Sequence, residues 1–350
     1  MTLTVLNVAF PLAPVGPDAV GGAEQVLTQV DRALVRAGHR SIVIACEGSR
    51  VAGELQAVPR RAEPLDGAAW GEIHRHHAEA IRDVLARWPV DLVHMHGIDF
   101  HRYLPPPGVP VLATLHLPPA WYPAEVFRLD RPGTWVHCVS HAQAASCPPS
   151  SRLLSPIPNG VPVDEFAGAR PSARRRTFAA ALGRICPEKG FHLALEAARR
   201  ADAALLLAGA VFPFEEHRRY FEREIRPRLD RRRRFVGPVG VRSKRGLLGR
   251  ARCLLVPSLA PETSSLVAME ALASGTPVVA FRVGALSEIV EHGRTGYLVD
   301  DAHEMAEAIA SVPTLDPAEC RAAARERFSA TRMSARYLDR YAAIAEGCAA

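Results

Sequence analysis

The chain of 350 residues contains no stretch of 18 or more apolar residues, which excludes a membrane-spanning helix. Its seven cysteines (Cys46, Cys138, Cys147, Cys186, Cys253, Cys320 and Cys348) include no Cys-x-x-Cys pair. An odd, scattered set argues against a disulfide scaffold or a zinc cluster and fits reduced thiols. The chain starts directly on the apolar run 3–10, without a basic leader or cleavage site, so a cytoplasmic protein is expected. Aromatic residues are scarce, at 6%. Lysine is scarcer still: of 43 cationic residues only Lys189 and Lys244 are lysines. The net charge of +6 is modest, and much of it lies in 218–234, with the run Arg231-Arg232-Arg233-Arg234. Only Tyr220, Phe221 and Phe235 flank those arginines, too few to interleave as a nucleic-acid surface requires, so no nucleic-acid partner is expected. A solvated helix face fits the stretch best, and weak peripheral contact with an anionic membrane is the alternative. There is no short repeat, and nothing in the sequence sets an oligomeric state.

What is present fills two cores. At 48% hydrophobic, a chain of this length suits two domains of roughly 100–200 residues. Strand-like and helix-like segments alternate throughout, which predicts an α/β protein with parallel sheets. The first half gives strands over 3–10, 41–45, 91–95, 109–115 and 135–139, with helices over 24–37 and 68–88. Proline and glycine density over 156–162 marks a linker. The second half gives strands over 177–182, 203–208, 234–236, 253–256, 277–280 and 297–299. Its helices are expected over 191–200, 214–229, 243–250, 264–274 and 286–291, with more from 303 onward. Doubly wound units of this kind take ligands at the carboxyl ends of their strands.

The most informative segment runs from Pro257 to Glu270. An apolar strand stops at Pro257, and Thr263, Ser264 and Ser265 offer hydroxyl caps for the following helix. A strand ending at a helix tip leaves unpaired amides that favour a phosphate. Glu262 stands just before that helix. Glu270 lies two turns inside it among apolar neighbours, and a buried acid needs a partner. Earlier, Lys189 falls in Gly183-Arg184-Ile185-Cys186-Pro187-Glu188-Lys189-Gly190, directly after another apolar run.

These residues resemble a known family. Pro257-Ser258, Glu262, Glu270-Ala271-Leu272-Ala273, Gly275-Thr276-Pro277 and Glu288-Ile289-Val290 are similar to the signature of family 4 (group 1) glycosyltransferases. Gly293, Thr295-Gly296, Gly183-Arg184 with Lys189-Gly190, Pro158-Asn159-Gly160-Val161, and Gly21-Gly22-Ala23-Glu24 continue the likeness in order along nearly the whole chain. The resemblance implies a GT-B fold, two Rossmann-like doubly wound parallel-sheet domains facing a central cleft. Residues 1–160 would form the acceptor domain, with the C-terminal helix 331–348 packed back on it, and 163–330 the donor domain. It implies a retaining hexosyltransferase using a nucleoside diphosphate sugar (UDP first, GDP next) and a small-molecule, saccharide or natural-product acceptor. Rivals are an epimerase or hydrolase of the same fold, or a catalytically silent nucleotide-sugar-binding partner subunit.

By the same resemblance, Arg184 and Lys189 grip the diphosphate, Glu270 holds the ribose hydroxyls and Glu262 the donor sugar. Backbone amides of Thr263, Ser264, Ser265, Leu266 and Val267 line sugar and phosphate. Gly183, and Gly21 with Gly22, approach the phosphates, Asn159 with Gly160 sits at the hinge, and Val239 with Val241 walls the nucleobase. His116 stands near the reacting sugar carbon. Asp-x-Asp, through which many transferases hold a divalent ion, does not occur, since Asp300 and Asp301 are adjacent. No metal or other cofactor is therefore expected, the cations and helix tip taking that role. Ser264-Ser265 replaces a common Phe-Gly of the family, and Gly284-Ala285 replaces Gly-Gly. His94 and His96 alternate at a strand end, where both could touch an acceptor, with Trp121 packing it. His74, His76 and His77 read as a solvated helix face.

Overall fold

The computed structural model describes residues 2–61, 65–167 and 177–347; Cys348, the last position of the expected helix 331–348, lies outside them. The chain divides into two compact units, one up to Asn159 that also takes the residues from Thr331 onward, the other Gly160–Ala330.

In the first unit, β1 (Thr4–Val8), β2 (Arg40–Cys46), β3 (Glu54–Val58), β4 (Leu92–Met95), β5 (Val111–Leu115), β6 (Thr134–Cys138) and β7 (Leu153–Leu154) form one sheet ordered β3-β2-β1-β4-β5-β6-β7. Every pairing is parallel. β4 and β5 are buried along their whole length, as strands covered on both faces must be. Helix α1 (Gly22–Arg36) buries Val26, Leu27, Val30 and Leu34, one stripe at helical spacing. α2 (Gly67–Arg87) starts where Asp66 accepts from the Ala69 amide at 2.8 Å. The short α3 (His141–Ala145) is capped by Ser140, whose hydroxyl accepts from the Gln143 amide at 3.1 Å. β3 and β7 were not expected: β3 is an edge strand with three of its five residues exposed, and β7 is two residues long.

The second unit opens with α4 (Val163–Ala167) and β8 (Phe178–Leu182), then α5 (Phe191–Arg200), β9 (Ala204–Ala208), α6 (Glu215–Tyr220), β10 (Arg233–Phe235) and α7 (Val241–Arg250). It continues through β11 (Leu254–Val256), α8 (Leu266–Ala273), β12 (Val278–Phe281), α9 (Leu286–Ile289), β13 (Gly296–Val299), α10 (Ala302–Ser311) and α11 (Pro317–Arg327). Its sheet is ordered β10-β9-β8-β11-β12-β13, again all parallel. The helix expected over 214–229 is interrupted: regular winding ends at Tyr220, Phe221–Ile225 is wider and Arg226–Arg228 tighter. Pro227 has no N–H to continue the helix. The last helix, α12 (Ala330–Ala345), returns to the first unit, where Met333, Tyr337, Tyr341 and Ile344 are buried.

Both sheets wind outward from their first strand, so each reverses direction once, between β1 and β4 and between β8 and β11. Open α/β sheets bind ligands outside the carboxyl ends at such a reversal. The chain leaves the first unit and returns to it along neighbouring segments: the Val161 amide donates to the Phe328 carbonyl and the Ala330 amide to that of Val161, both at 2.8 Å. A side chain at Gly160 would strike the Ser329 carbonyl, which explains glycine there.

Candidate functional site

At the reversal of the second sheet, β8 runs out into Gly183 and a tight turn, Pro187–Lys189, while β11 runs out into Pro257 and Ser258. The two loops are joined by backbone, the Leu259 amide donating to the Glu188 carbonyl at 2.8 Å. Gly190 closes the turn in the left-handed region (φ 61°), and a side chain there would run into the Pro257 carbonyl. This close approach brings the Lys189 ammonium to Glu262, Nζ to Oε1, at 2.6 Å. The Ser258 hydroxyl donates to the same carboxylate oxygen. Glu262 is held from behind, since its carbonyl accepts from the Ala285 amide at 2.8 Å. Two residues 73 positions apart thus form one charged centre at the strand ends.

Helix α8 begins beside it. The expectation that hydroxyls cap this helix is corrected for Ser264 and Ser265: Ser265 occupies the cap position without a side-chain bond, and the Ser264 hydroxyl is buried without a partner. The amides that open the helix, those of Leu266 and Val267, have no intrahelical carbonyl to bond, and the Glu262 carbonyl is taken by the Ala285 amide. Glu270 is buried within α8, and burial pushes its carboxyl up against the pull of a cation, Lys244. The Lys244 ammonium, on α7, lies 2.5 Å from Glu270 Oε1. Sequence reasoning missed Lys244. The available signal was its rarity, because the chain's only two lysines contact the two glutamates of the Glu262…Glu270 segment.

The remaining second-unit candidates lie around this centre in sequence. Arg184 is half-buried, with its Nε unpaired and its guanidinium 5.7 Å from the Phe212 ring. Val239 is partly buried and packs against the core of the second unit, and Val241 is the first residue of α7. Thr263 is half-buried. In the basic stretch, Arg219, Arg226 and Arg228 pair with Glu215, Glu222 and Glu224, one turn away in each case, and Arg233 pairs with Asp230. Much of its charge is therefore locally balanced.

In the first unit, Gly21 is the N-cap of α1, its carbonyl accepting from the Gln25 amide at 3.2 Å, and Gly22 is the first helical residue. Two residues on, Glu24 is buried, and desolvation pushes its carboxyl up to about 7. Asn159 is buried with its side-chain oxygen unpaired. The ends of β4, β5 and β6 carry four histidines. His94 Nδ1 lies 2.6 Å from the Tyr341 hydroxyl and Nε2 2.7 Å from Thr114 Oγ1; His137 Nε2 also lies 2.7 Å from Thr114 Oγ1. Burial pushes His94 and His96 well below the usual histidine range and takes His116 and His137 down to about 3. With the rings neutral, the protons follow from one fixed acceptor, the Cys138 carbonyl, 3.0 Å from His137 Nδ1. His137 donates there, so Thr114 donates to His137, His94 donates to Thr114, and Tyr341 donates to His94.

This arrangement corrects the acceptor role expected of His94, which has no exposure and both nitrogens engaged. His96 is also buried, its Nδ1 3.1 Å from His116 Nε2 and its own Nε2 without a hydrogen-bond partner. His116 keeps some exposure. Trp121 is 46% exposed, while Tyr122 is buried and its hydroxyl accepts from the Leu117 amide at 3.3 Å. His77 is corrected as well: it is buried, with its ring 5.2 Å from that of Tyr103, while His74 pairs with Asp99 at 2.9 Å.

Two family models match the chain. One, described as Glycosyltransferase Family 4, covers residues 20–165, and the other, Glycosyl transferases group 1, covers 176–313. A D-inositol 3-phosphate glycosyltransferase of Mycobacterium sp. (strain KMS) is 36% identical over 184 residues, 48% of this chain and 41% of that relative. The chain thus spans less than half the length of this curated relative. Among solved structures, AviGT4, a glycosyltransferase involved in avilamycin A biosynthesis, superposes with a TM-score of 0.73 at 25% identity, covering 99% of this chain and 98% of the other. Anabaena Alr3699/HepE, solved in complex with UDP-glucose, gives 0.73 at 18% identity, covering 97% and 100%.

Proposed function

The chain belongs to the family 4 (group 1) glycosyltransferases and has their GT-B fold, and from that premise we propose that it transfers a hexosyl group from a nucleoside diphosphate sugar to an acceptor hydroxyl with retention. The observation that carries the reading is the Lys189–Glu262 pair at the strand ends of the second sheet, beside the open amides of α8. UDP is the proposed nucleotide, with GDP next, and the acceptor is a small molecule, a saccharide or a natural product.

In this reading the C1–oxygen bond to the diphosphate breaks and its electron pair stays on the phosphate oxygen. Arg184, Lys189 and the first amides of α8 stabilise that charge, positioned before the reaction begins. Lys189 exchanges part of its hold on Glu262 for a phosphate oxygen, which frees Glu262 to accept from sugar hydroxyls. Glu270, paired with Lys244, accepts from the ribose. The acceptor oxygen attacks from the departing side and its proton passes to the leaving phosphate. His116 is a neutral imidazole and serves as a hydrogen-bonding group toward the sugar.

Lys189→Ala is expected to lower kcat/KM by about 10²–10³-fold with the fold intact, the loss typical of one preorganised donor to a developing anion. A steady-state assay with circular dichroism as control checks it, and near-normal turnover would refute the diphosphate role. Leaving-group stabilisation needs no hard metal ion here, so adding Mg²⁺ or Mn²⁺ is expected to leave the rate unchanged. A thermal-shift screen of UDP-, GDP-, ADP- and TDP-sugars identifies the donor, because a ligand that binds only the native state raises its melting point. Consumption of donor without an acceptor would point instead to an epimerase or hydrolase.

A further inference from the structure

We propose that Cys186, Glu188 and His217 form a binding site for a borderline divalent cation of the zinc class, at the turn that carries Lys189. Among the described residues, this is the group of three metal-ligating side chains whose ligand atoms all lie within 4.8 Å of one another. A thiolate, an imidazole and a carboxylate form a donor set suited to zinc, leaving the fourth tetrahedral position open. Bond lengths of about 2.0–2.3 Å around a tetrahedral zinc place neighbouring ligand atoms roughly 3.3–3.5 Å apart.

A second observation points to a ligand. His217 is only 8% exposed, and its Nδ1 is buried without a hydrogen-bond partner. Glu188 Oε2 is buried and unpartnered as well. Two such atoms at one place are costly in a folded interior unless something satisfies them. Their scaffold is fixed: Cys186 and Glu188 flank Pro187 in the tight turn, and the Glu188 carbonyl is tied to the Leu259 amide. The His217 ring stands edge-on to Phe214, 5.1 Å between centroids, and 6.2 Å from Phe212.

Binding would break the Cys186 S–H bond, form a metal–sulfur bond and release the proton to solvent. Burial pushes this thiol up to about 11, so the metal-free site holds a neutral thiol beside Glu188. The Arg184 charge acts against a cation here, and it also acts on His217. Two anionic ligands outweigh it. The bound cation would tie the turn between β8 and α5 to α6, fixing the backbone on which Lys189 stands. This site is distinct from the one proposed for the leaving diphosphate, and its ligands include neither Arg184 nor Lys189.

The test is a Co²⁺ titration of the full-length protein, without donor or acceptor. The wild type is expected to develop a near-ultraviolet thiolate-to-cobalt charge-transfer band that saturates at one equivalent, and Zn²⁺ is expected to displace it and raise the melting temperature. Cys186→Ser should abolish the band, and His217→Gln should weaken it. The Cys138 and Cys147 sulfurs lie 3.3 Å apart and are the competing soft ligands, so a Cys138→Ser/Cys147→Ser variant should keep the band. A wild type without the band, or a band lost in that double variant and retained in Cys186→Ser, overturns the proposal. Absence of the band in the wild type overturns the proposal even where a variant fails to fold.

Discussion

Lys189 and Lys244 differ from the chain's 41 arginines in the shape of the charge they deliver. An ammonium is a compact donor that can sit on one carboxylate oxygen and redirect to a phosphate, whereas a guanidinium fork binds two oxygens in a plane. Lys244 does this inside the protein, where the side chains of Lys244 and Glu270 are 14% and 4% exposed. Removing one partner of such a pair leaves a buried charge uncompensated, at a cost of about 3–5 kcal/mol. Lys244→Met is therefore expected to destabilise the protein by about that amount in urea denaturation and to weaken UDP binding. A loss below about 1 kcal/mol would mean that Glu270 does not depend on this cation. The pairing was not legible in the sequence because the residues are 26 positions apart and on different helices. Glu270 announced the need for a partner through its apolar neighbours, yet nothing local said which cation would supply it.

At the scale of elements, legibility followed burial. β4, β5 and β12, buried along their length, appear in the sequence as apolar runs. β3 carries Glu54, Gln56 and exposed Leu55 at the sheet edge, so its pairing with β2 comes from backbone bonding that no side-chain pattern records. The grouping of Cys186, Glu188 and His217 was hidden likewise, because His217 enters from α6, 29 positions after Glu188 in the numbering. His94 and His96, at the end of β4, looked like ligand-facing groups by alternation, and His116, at the end of β5, by family resemblance. The partner of His94, Tyr341, lies on α12, 247 positions later. This network has a pH signature. His116 and His137 fall to about 3 when folded and return to about 6.5 when unfolded. The unfolded chain therefore binds more protons between those values, and stability is lost as pH falls below about 6.5. Thr114→Val leaves His94 and His137 each with an unpaired nitrogen, at about 1–3 kcal/mol apiece. The variant is expected to unfold earlier in urea at pH 7. It should also show a flatter acid dependence, because its folded rings are more easily protonated. An unchanged urea midpoint would remove the network from the account of this unit's stability.

Across the whole molecule, the first unit is discontinuous in sequence while the second is one continuous stretch. That asymmetry separates what each needs in order to fold. The sheet of the second unit, its Lys189–Glu262 and Lys244–Glu270 pairs and α8 all lie within residues 160–330. The first unit depends on α12 for Met333, Tyr337, Tyr341 and Ile344 in its core and for the hydroxyl that holds His94. Burying one such side chain contributes about 1.5–3 kcal/mol, so losing four removes about 6–12 kcal/mol, comparable with the roughly 5–15 kcal/mol by which a domain is ordinarily stable. All four tryptophans, Trp70, Trp88, Trp121 and Trp135, belong to the first unit, so their fluorescence reports on it alone. A chain ending at Ala330 is expected to show the red-shifted emission of exposed indoles while retaining the circular dichroism of a folded α/β unit. If the donor is held as proposed, that chain should also keep measurable affinity for UDP while losing transfer. Native emission from the truncated chain would show that the first sheet closes its core without α12, and would leave the tyrosines of that helix without a structural role.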